Sequence, residues 1–339
     1  MELALYCPVY GYYEKEKDTV GRRGDFITSV SVGNLFGQLL AFQFGEWLRE
    51  AGAAGPEARI VEAGAHAGQL GSDIMAWLRE RRPELYNGLE YVIVEPSSRR
   101  REWQRHRLDG FGNKIRWVAR LEELACSGVQ GIIFSNELLD ALPVHRLAWD
   151  AKNRRWFEWG VAMKDGGLAW AKIQPPTSGL RPPVLADGWL EILPDGFTFD
   201  ICPGAEHWWR EAAGILRCGK LVTIDYGLAA EEFFRPERKE GTLRAYARQH
   251  LSKDLLANPG NQDLTAHVNF TALQAAGESS GLRSEPLETQ GKFLTRIAER
   301  IWKHETDFGA WTPAHTRQFH TLTHPEHLGR AFRVLIQSR

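Results

Sequence analysis

The chain is short of cysteine, of long apolar runs and of net charge, and each shortage removes a class of protein. Its four cysteines, Cys7, Cys126, Cys202 and Cys218, are scattered through 339 residues. No pair stands at the close spacing that a zinc ribbon or a redox dithiol needs, so free thiols in a reducing compartment are expected. The apolar runs are too short to cross a bilayer. The N-terminus shows no charged-then-apolar leader, which makes the cytoplasm the expected location. Lys and Arg number 42 against 43 Asp and Glu, a formal net charge of −1. No global field therefore favours nucleic acid or an anionic membrane, and neither is an expected partner. The one basic run, Arg99–Arg107, predicts the solvated face of a helix, because a phosphate-binding surface would want more than one such segment. His320, His324 and His327 lack a matching carboxylate arrangement and are interrupted by Pro325, so no metal site is expected. Internal repeats and low-complexity segments are also missing.

What remains has the composition of a globular protein, 43% hydrophobic and 25% charged. Strands and helices alternate through the first half. Ile60–Glu62, Glu90–Glu95, Ile115–Val118 and Gly131–Ser135 read as strands, and Ser72–Arg82 and Ser97–Arg107 as the helices between them. The fourth strand is the most apolar and should be central. That alternation implies an α/β fold with a parallel sheet and right-handed crossovers. A long amphipathic helix, roughly Val32–Ala51, precedes it. After Pro143 the period changes to two: Val144–Trp149, Trp156–Lys164 and Leu168–Ile173 predict an inserted antiparallel β subdomain with a hairpin at Lys164-Asp165-Gly166-Gly167. Gly188–Phe199 could add strands. The core resumes with a helix at Gly204–Arg217 and a strand at Lys220–Tyr226, and a polar excursion, Gly227–His267, looks like a second insert. Helices at Phe270–Ser280, Gly291–Thr306 and Pro313–Thr321, and strands at Arg283–Thr289 and Arg330–Gln337, complete the chain. The expected division is an N-terminal loop and helix over residues 1–55 covering the site, and a core over 56–339 with inserts near 145–200 and 227–267. Thirteen tryptophans are many. Trp156, Trp159, Trp170 and Trp189 would either build a small core under the β insert or face a macromolecular partner.

Four segments could carry chemistry. The stretch Ile60–Leu70 is strand, glycine turn and helix start, which aims backbone N–H groups at a ligand. A G-x-G-x-x-G fingerprint from Gly64 would need glycines where the chain has His66 and Gln69, so pyrophosphate is disfavoured. The spacing from Glu62 through Gly64 to Gly68 suits a nucleoside instead, and Glu95, ending the next strand, could take both ribose hydroxyls. Glu95 could equally be a helix-terminal acid offsetting the dipole. Ser135–Pro143 follows the fourth strand and offers Asn136, Glu137 and Asp140, either as a site that holds a cation or accepts a proton, or as a short capped helix. Asp225 ends another strand at the same edge. His267 could be a base or a residue that pins a loop.

Taken in order, these segments resemble the MidA-like family of S-adenosylmethionine-dependent methyltransferases. The resemblance runs through most of the chain. It rests on Ala4-Leu5-Tyr6 to Pro8, Tyr10-Gly11-Tyr12-Tyr13, Gly24-Asp25-Phe26-Ile27-Thr28 and Phe36-Gly37. It continues through Glu62-x-Gly64 to Gly68, Asn136-Glu137, Asp140-Ala141-Leu142-Pro143-Val144 and Asp225-Tyr226-Gly227. Gly241-Thr242-Leu243, Asp263-Leu264-Thr265-Ala266-His267-Val268 and Phe293-Leu294 close it. The resemblance implies a class I methyltransferase Rossmann-like sheet with inserts and S-adenosylmethionine as cofactor. It further implies that Glu62, Gly64, Gly68 and Glu95 line the cofactor pocket, with Asn136 and Glu137 at the methionine end and Gly24, Asp25 and Phe26 closing over it; His66, in the same loop, is expected at the cofactor as well. A mitochondrial member methylates arginine, so a protein substrate is expected, with Glu137 and Asp140, then Asp225 and His267, as the proton-accepting groups. A small-molecule acceptor, or a weakly active assembly role, is the alternative. His66 departs from the family's loop, which usually has glycine there.

Overall fold

The computed structural model describes residues 1–15, 28–52, 58–177, 179–180, 188–247, 250–303 and 308–339. The chain packs as two compact units. One comprises Met1–Lys17, Asp140–His207 and Gly227–Ala272; the other comprises Asp18–Leu139, Trp208–Tyr226 and Leu273–Arg339. In chain order the elements begin with α1 (Glu2–Tyr6), α2 (Ser29–Val32), α3 (Leu35–Glu50), β1 (Ala58–Ala63), α4 (Gln69–Arg81) and α5 (Pro83–Gly88). They continue with β2 (Glu90–Val94), α6 (Ser98–Leu108), β3 (Ile115–Val118), β4 (Val129–Asn136), β5 (His145–Asp150), β6 (Arg155–Lys164) and β7 (Gly167–Ile173). Next are α7 (Trp189–Ile192), β8 (Thr198–Ile201), α8 (Pro203–Ile215), β9 (Leu216–Leu228), α9 (Ala230–Phe233), β10 (Arg244–Ala247), β11 (His250–Ser252), β12 (Asp263–Thr265) and β13 (Val268–Asn269). The last are α10 (Phe270–Ser279), β14 (Arg283–Ser284), β15 (Glu288–Thr289), α11 (Gln290–Lys303), α12 (Pro313–Thr323) and β16 (Phe332–Ser338).

The second unit is a sheet in the order β14-β16-β9-β4-β1-β2-β3. Strands β9, β4, β1, β2 and β3 are parallel, and β16 returns antiparallel beside β9. Ile60, Val92, Ile93, Ile132, Ile133 and Phe134 are wholly buried, which is why these strands read as continuous apolar runs rather than alternating ones. The order turns around β1: the chain passes from β1 to β2 on one side and later returns to β4 on the other. That reversal opens a crevice at the carboxyl ends of β1 and β4, where ligands of open α/β sheets sit.

The long amphipathic helix departs from its sequence pattern, and the basic helix follows it. The expected amphipathic helix over Val32–Ala51 is two elements, because Gly33 breaks it at φ +149°, with Gln318 packed where a side chain would stand. Its longer part, α3, is buried on nearly every side, from Leu35 through Leu48. The basic run forms α6, capped by Ser97, whose Oγ accepts from Arg100 N–H at 3.3 Å. Only Gln104 and Leu108 of that helix are fully buried.

The first unit holds two antiparallel sheets, in the orders β7-β6-β5-β8 and β11-β10-β12. The hairpin between β6 and β7 turns on Asp165 and Gly166, both at positive φ, as a two-residue primed turn requires. Gly188–Phe199 supplies the short α7 and only the start of β8, and the polar excursion supplies β10–β12. The tryptophans divide. Trp156 packs on Trp149 at 5.3 Å and Trp189 on Phe234 at 5.5 Å, building a satellite core with Leu193 and Phe197. Trp170 stays 37% exposed beneath the guanidinium of Arg146.

Candidate functional site

The crevice of the sheet unit is lined by the loops that leave β1, β2 and β4. After β1 the chain turns through Gly64 (φ +77°), His66 (φ +45°) and Gly68 (φ +80°) into α4. Glycine is needed here for packing within the protein. A Cβ on Gly64 would stand 2.9 Å from Leu138 Cδ1, and one on Gly68 would stand 3.3 Å from Leu108 Cδ1. Both positions also require the left-handed backbone that glycine adopts without strain. His66 adopts it with a side chain.

Glu62, one residue before the end of β1, is 2% exposed and accepts a hydrogen bond from the Tyr91 hydroxyl at 2.8 Å. Burial raises its pKa to about 7, and the bond from Tyr91 opposes that rise. The same burial, with the Glu62 carboxyl beside it, pushes the Tyr91 hydroxyl well above its ordinary value. Glu95 follows β2 and is 3% exposed. Its Oε1 accepts from Ser97 N–H at 3.0 Å and its Oε2 from Gln104 Nε2 at 3.1 Å.

At the end of β4, Asn136 Nδ2 donates to Glu137 Oε1 at 3.1 Å, and Ser29 N–H donates to the same oxygen at 3.2 Å. Glu137 carries φ +52°, a costly conformation for a non-glycine residue, and its own N–H bonds Ile224 O at 3.0 Å. Asn136 Oδ1 is buried and has no hydrogen-bond partner among the described residues. An orphaned amide oxygen costs free energy until a donor reaches it. It is the feature an ammonium-bearing ligand would satisfy, so the crevice fits the amino-acid end of S-adenosylmethionine. Asp225, fully buried, directs Oδ2 to the N–H groups of Leu138 (3.1 Å) and Leu139 (2.8 Å) and Oδ1 to that of Tyr226 (2.8 Å). It thereby clamps the turn that follows Glu137.

The sheet unit thus gathers Glu62, Gly64, His66, Gly68, Glu95, Asn136, Glu137 and Asp225 at one edge. Asp140 and His267 lie in the other unit, where Ala266 N–H donates to Asp140 O at 2.9 Å. His267 is held by its N–H on Thr242 Oγ1 at 3.2 Å. Burial, then Arg238 and Arg244 nearby, lower its pKa to about 4, so its ring is neutral at physiological pH. In the same unit the Tyr13 hydroxyl donates to Asp263 Oδ1 at 2.8 Å. Gly24, Asp25 and Phe26 lie outside the described residues. Among the described residues no group of three or more His, Cys, Asp or Glu is placed to hold a metal ion. Sequence reasoning missed Gln104, whose Nε2 also donates to His66 O at 2.9 Å. Part of its signal was present: Gln104 is an uncharged polar residue inside the basic helix, four residues before Leu108, on the face that must be buried.

Comparison with known proteins identifies the family. Residues 39–287 match the family described as "Putative S-adenosyl-L-methionine-dependent methyltransferase". The chain is 31% identical to the mitochondrial protein arginine methyltransferase NDUFAF7 homolog of Drosophila melanogaster, over 88% of this chain and 70% of that protein. It is 25% identical to mitochondrial NDUFAF7 of Mus musculus, over 98% and 78%. A methyl transferase candidate from Burkholderia thailandensis, crystallised with S-adenosyl-homocysteine, superposes with a TM-score of 0.80 at 29% identity, covering 100% of this chain and 86% of that one. The cytoplasmic expectation is corrected by these relatives, since the NDUFAF7 proteins are mitochondrial by name. Scattered thiols and short apolar runs suit more than one compartment and could not decide it. The chain is an S-adenosyl-L-methionine-dependent methyltransferase and belongs to the MidA-like family.

Proposed function

We propose that the methyl acceptor is the guanidinium of an arginine side chain in a protein substrate, and that Glu137 is the group that receives it. The observation that carries this reading is the placement of Glu137: a carboxylate held at positive φ on the carboxyl edge of β4, tethered through Oε1 by Ser29 N–H and Asn136 Nδ2. Backbone strain of this kind persists where the surrounding structure fixes a group for use. The names of the relatives support the arginine assignment.

Bound S-adenosylmethionine supplies an electrophilic methyl carbon on a sulfonium, whose C–S bonding pair returns to sulfur as the new N–C bond forms. The protein's share is alignment and charge. A guanidinium is protonated at every working pH and is recognised by a planar carboxylate through two parallel hydrogen bonds. Glu137 turns the reacting nitrogen toward the methyl group and takes the proton that the nitrogen sheds on methylation. Glu95 holds the ribose hydroxyls, and Asn136 Oδ1 takes the ammonium end. Asp225 keeps the Glu137 turn in place rather than touching substrate. Ser29 N–H helps hold the Glu137 carboxylate in place.

The test is methyl transfer from isotopically labelled S-adenosylmethionine into lysate of a strain without the protein. Label should appear on arginine after acid hydrolysis of the protein fraction. Glu137→Gln should bind S-adenosylhomocysteine within about 3-fold of the wild type and lose at least about 100-fold in transfer, the scale of a lost proton acceptor. Label confined to small molecules, or full transfer by Glu137→Gln, would overturn the reading.

A further inference from the structure

Gln104 is a fully buried neutral amide in the middle of a basic helix. Its side chain joins three elements. Nε2 donates to the carbonyl of His66 in the glycine turn at 2.9 Å and to Oε2 of Glu95 after β2 at 3.1 Å. Oε1 accepts from the indole N–H of Trp117 on β3 at 3.0 Å. These partners leave the amide one orientation. An indole N–H only donates, and a carbonyl and a carboxylate only accept, so turning the amide over would break all three bonds and oppose like groups.

We propose that Gln104 is a positioning residue that gives the nucleoside end of the site its selectivity for an intact ribose, an inference that rests on Glu95 taking the ribose hydroxyls. A bidentate grip needs a carboxylate held in one rotamer, with its plane fixed to within a few tenths of an ångström. Ser97 N–H fixes one oxygen of Glu95 and Gln104 fixes the other. The same NH2 group holds the His66 carbonyl, so the glycine turn and the acid keep their spacing when a nucleoside enters between them. The third bond, from Trp117, makes the amide a fixed strut instead of a free rotor.

The experiment is calorimetric titration of the full chain with S-adenosylhomocysteine and with its 2′,3′-dideoxy analogue. The wild type should prefer the intact ribose by about 10-fold or more, the scale of a hydrogen bond to a charged group. Gln104→Met, which keeps the volume and removes the amide, should weaken the intact ligand about 10-fold while changing the analogue less than about 3-fold, so that the preference collapses. Trp117→Phe, a milder change that removes only the orienting N–H, should lower the preference part of the way. The proposal is overturned if Gln104→Met keeps the wild-type preference, or if both variants weaken both ligands equally in step with a fall in melting temperature. Glu95→Gln separates the two levels. If it too keeps the preference, the ribose assignment of Glu95 is wrong; if it loses the preference while Gln104→Met keeps it, Gln104 alone is misassigned.

Discussion

Glu62 shows how one buried acid can make the stability of a unit depend on pH. Burial raises its pKa from 4.5 to about 7, and the Tyr91 hydroxyl bond only partly offsets this. Below pH 4.5 the carboxyl is protonated in both folded and unfolded chains, and burial costs no charge. Between 4.5 and about 7 the unfolded chain releases the proton while the folded chain keeps it, so the folded state binds more protons and loses stability as pH rises. Above about 7 both states are ionised and the cost is constant, on the order of 3 kcal/mol from a shift between those two values. Glu62→Gln keeps an oxygen for Tyr91 and removes the titration. Its unfolding free energy relative to the wild type should therefore climb from pH 4.5 to 7 and then level off, as urea midpoints across that range would show. A constant offset from pH 5 to 8 would place the ionisation elsewhere. At the same scale, Gln104 shows what a sequence conceals: its partners are 38, 9 and 13 residues away, and no local pattern encodes such a meeting.

Between single residues and the whole chain, the turn after β4 is the element that holds Glu137, the group proposed to receive the acceptor. Three backbone N–H groups, those of Leu138, Leu139 and Tyr226, point at the Asp225 carboxylate. An amide at that position must set its own NH2 against at least one of them. Asp225→Asn should cost about 1–3 kcal/mol, the range for a buried donor left unsatisfied, and activity should fall as the Glu137 turn loosens. If Asp225 were itself the proton acceptor, the same variant would lose transfer at full thermal stability, so melting temperature and turnover measured together decide its role. Elements like this one were legible in sequence because a buried parallel strand is an apolar run and its end is marked by an acid or an amide. Strands β1 to β4 and the loops at Gly64, Glu95 and Asn136 follow from that. The start of β9 did not: α8 runs into it between Ile215 and Leu216 without a turn residue, so an apolar pattern of one period merges with the other. Strands β10–β12, three or four residues each, are too short to show a period at all. Strands β14 and β15 read as one segment, though each holds only two residues with Pro286 in the gap.

For the whole molecule, the assignment of ligand contacts to one compact unit has a measurable consequence. Glu62, Gly64, His66, Gly68, Glu95, Gln104, Asn136 and Glu137 all belong to the sheet unit. A ligand that binds only the folded state stabilises what it binds by RT ln(1 + [L]/Kd), about 2.7 kcal/mol at a hundredfold excess over Kd. If the nucleoside and amino-acid ends are held as proposed, that stabilisation belongs to the sheet unit. Amide hydrogen exchange measured with and without saturating S-adenosylhomocysteine should then slow at residues 64–70, 95–104 and 136–139, and through the β1 and β4 amides that open only when the sheet unfolds. The β6–β7 hairpin of the other unit, with Val161 and Met163 at its exposed surface, should exchange at an unchanged rate. Equal slowing in that hairpin would mean that the ligand's binding energy reaches both units, and the assignment of the ligand contacts to the sheet unit would have to be abandoned.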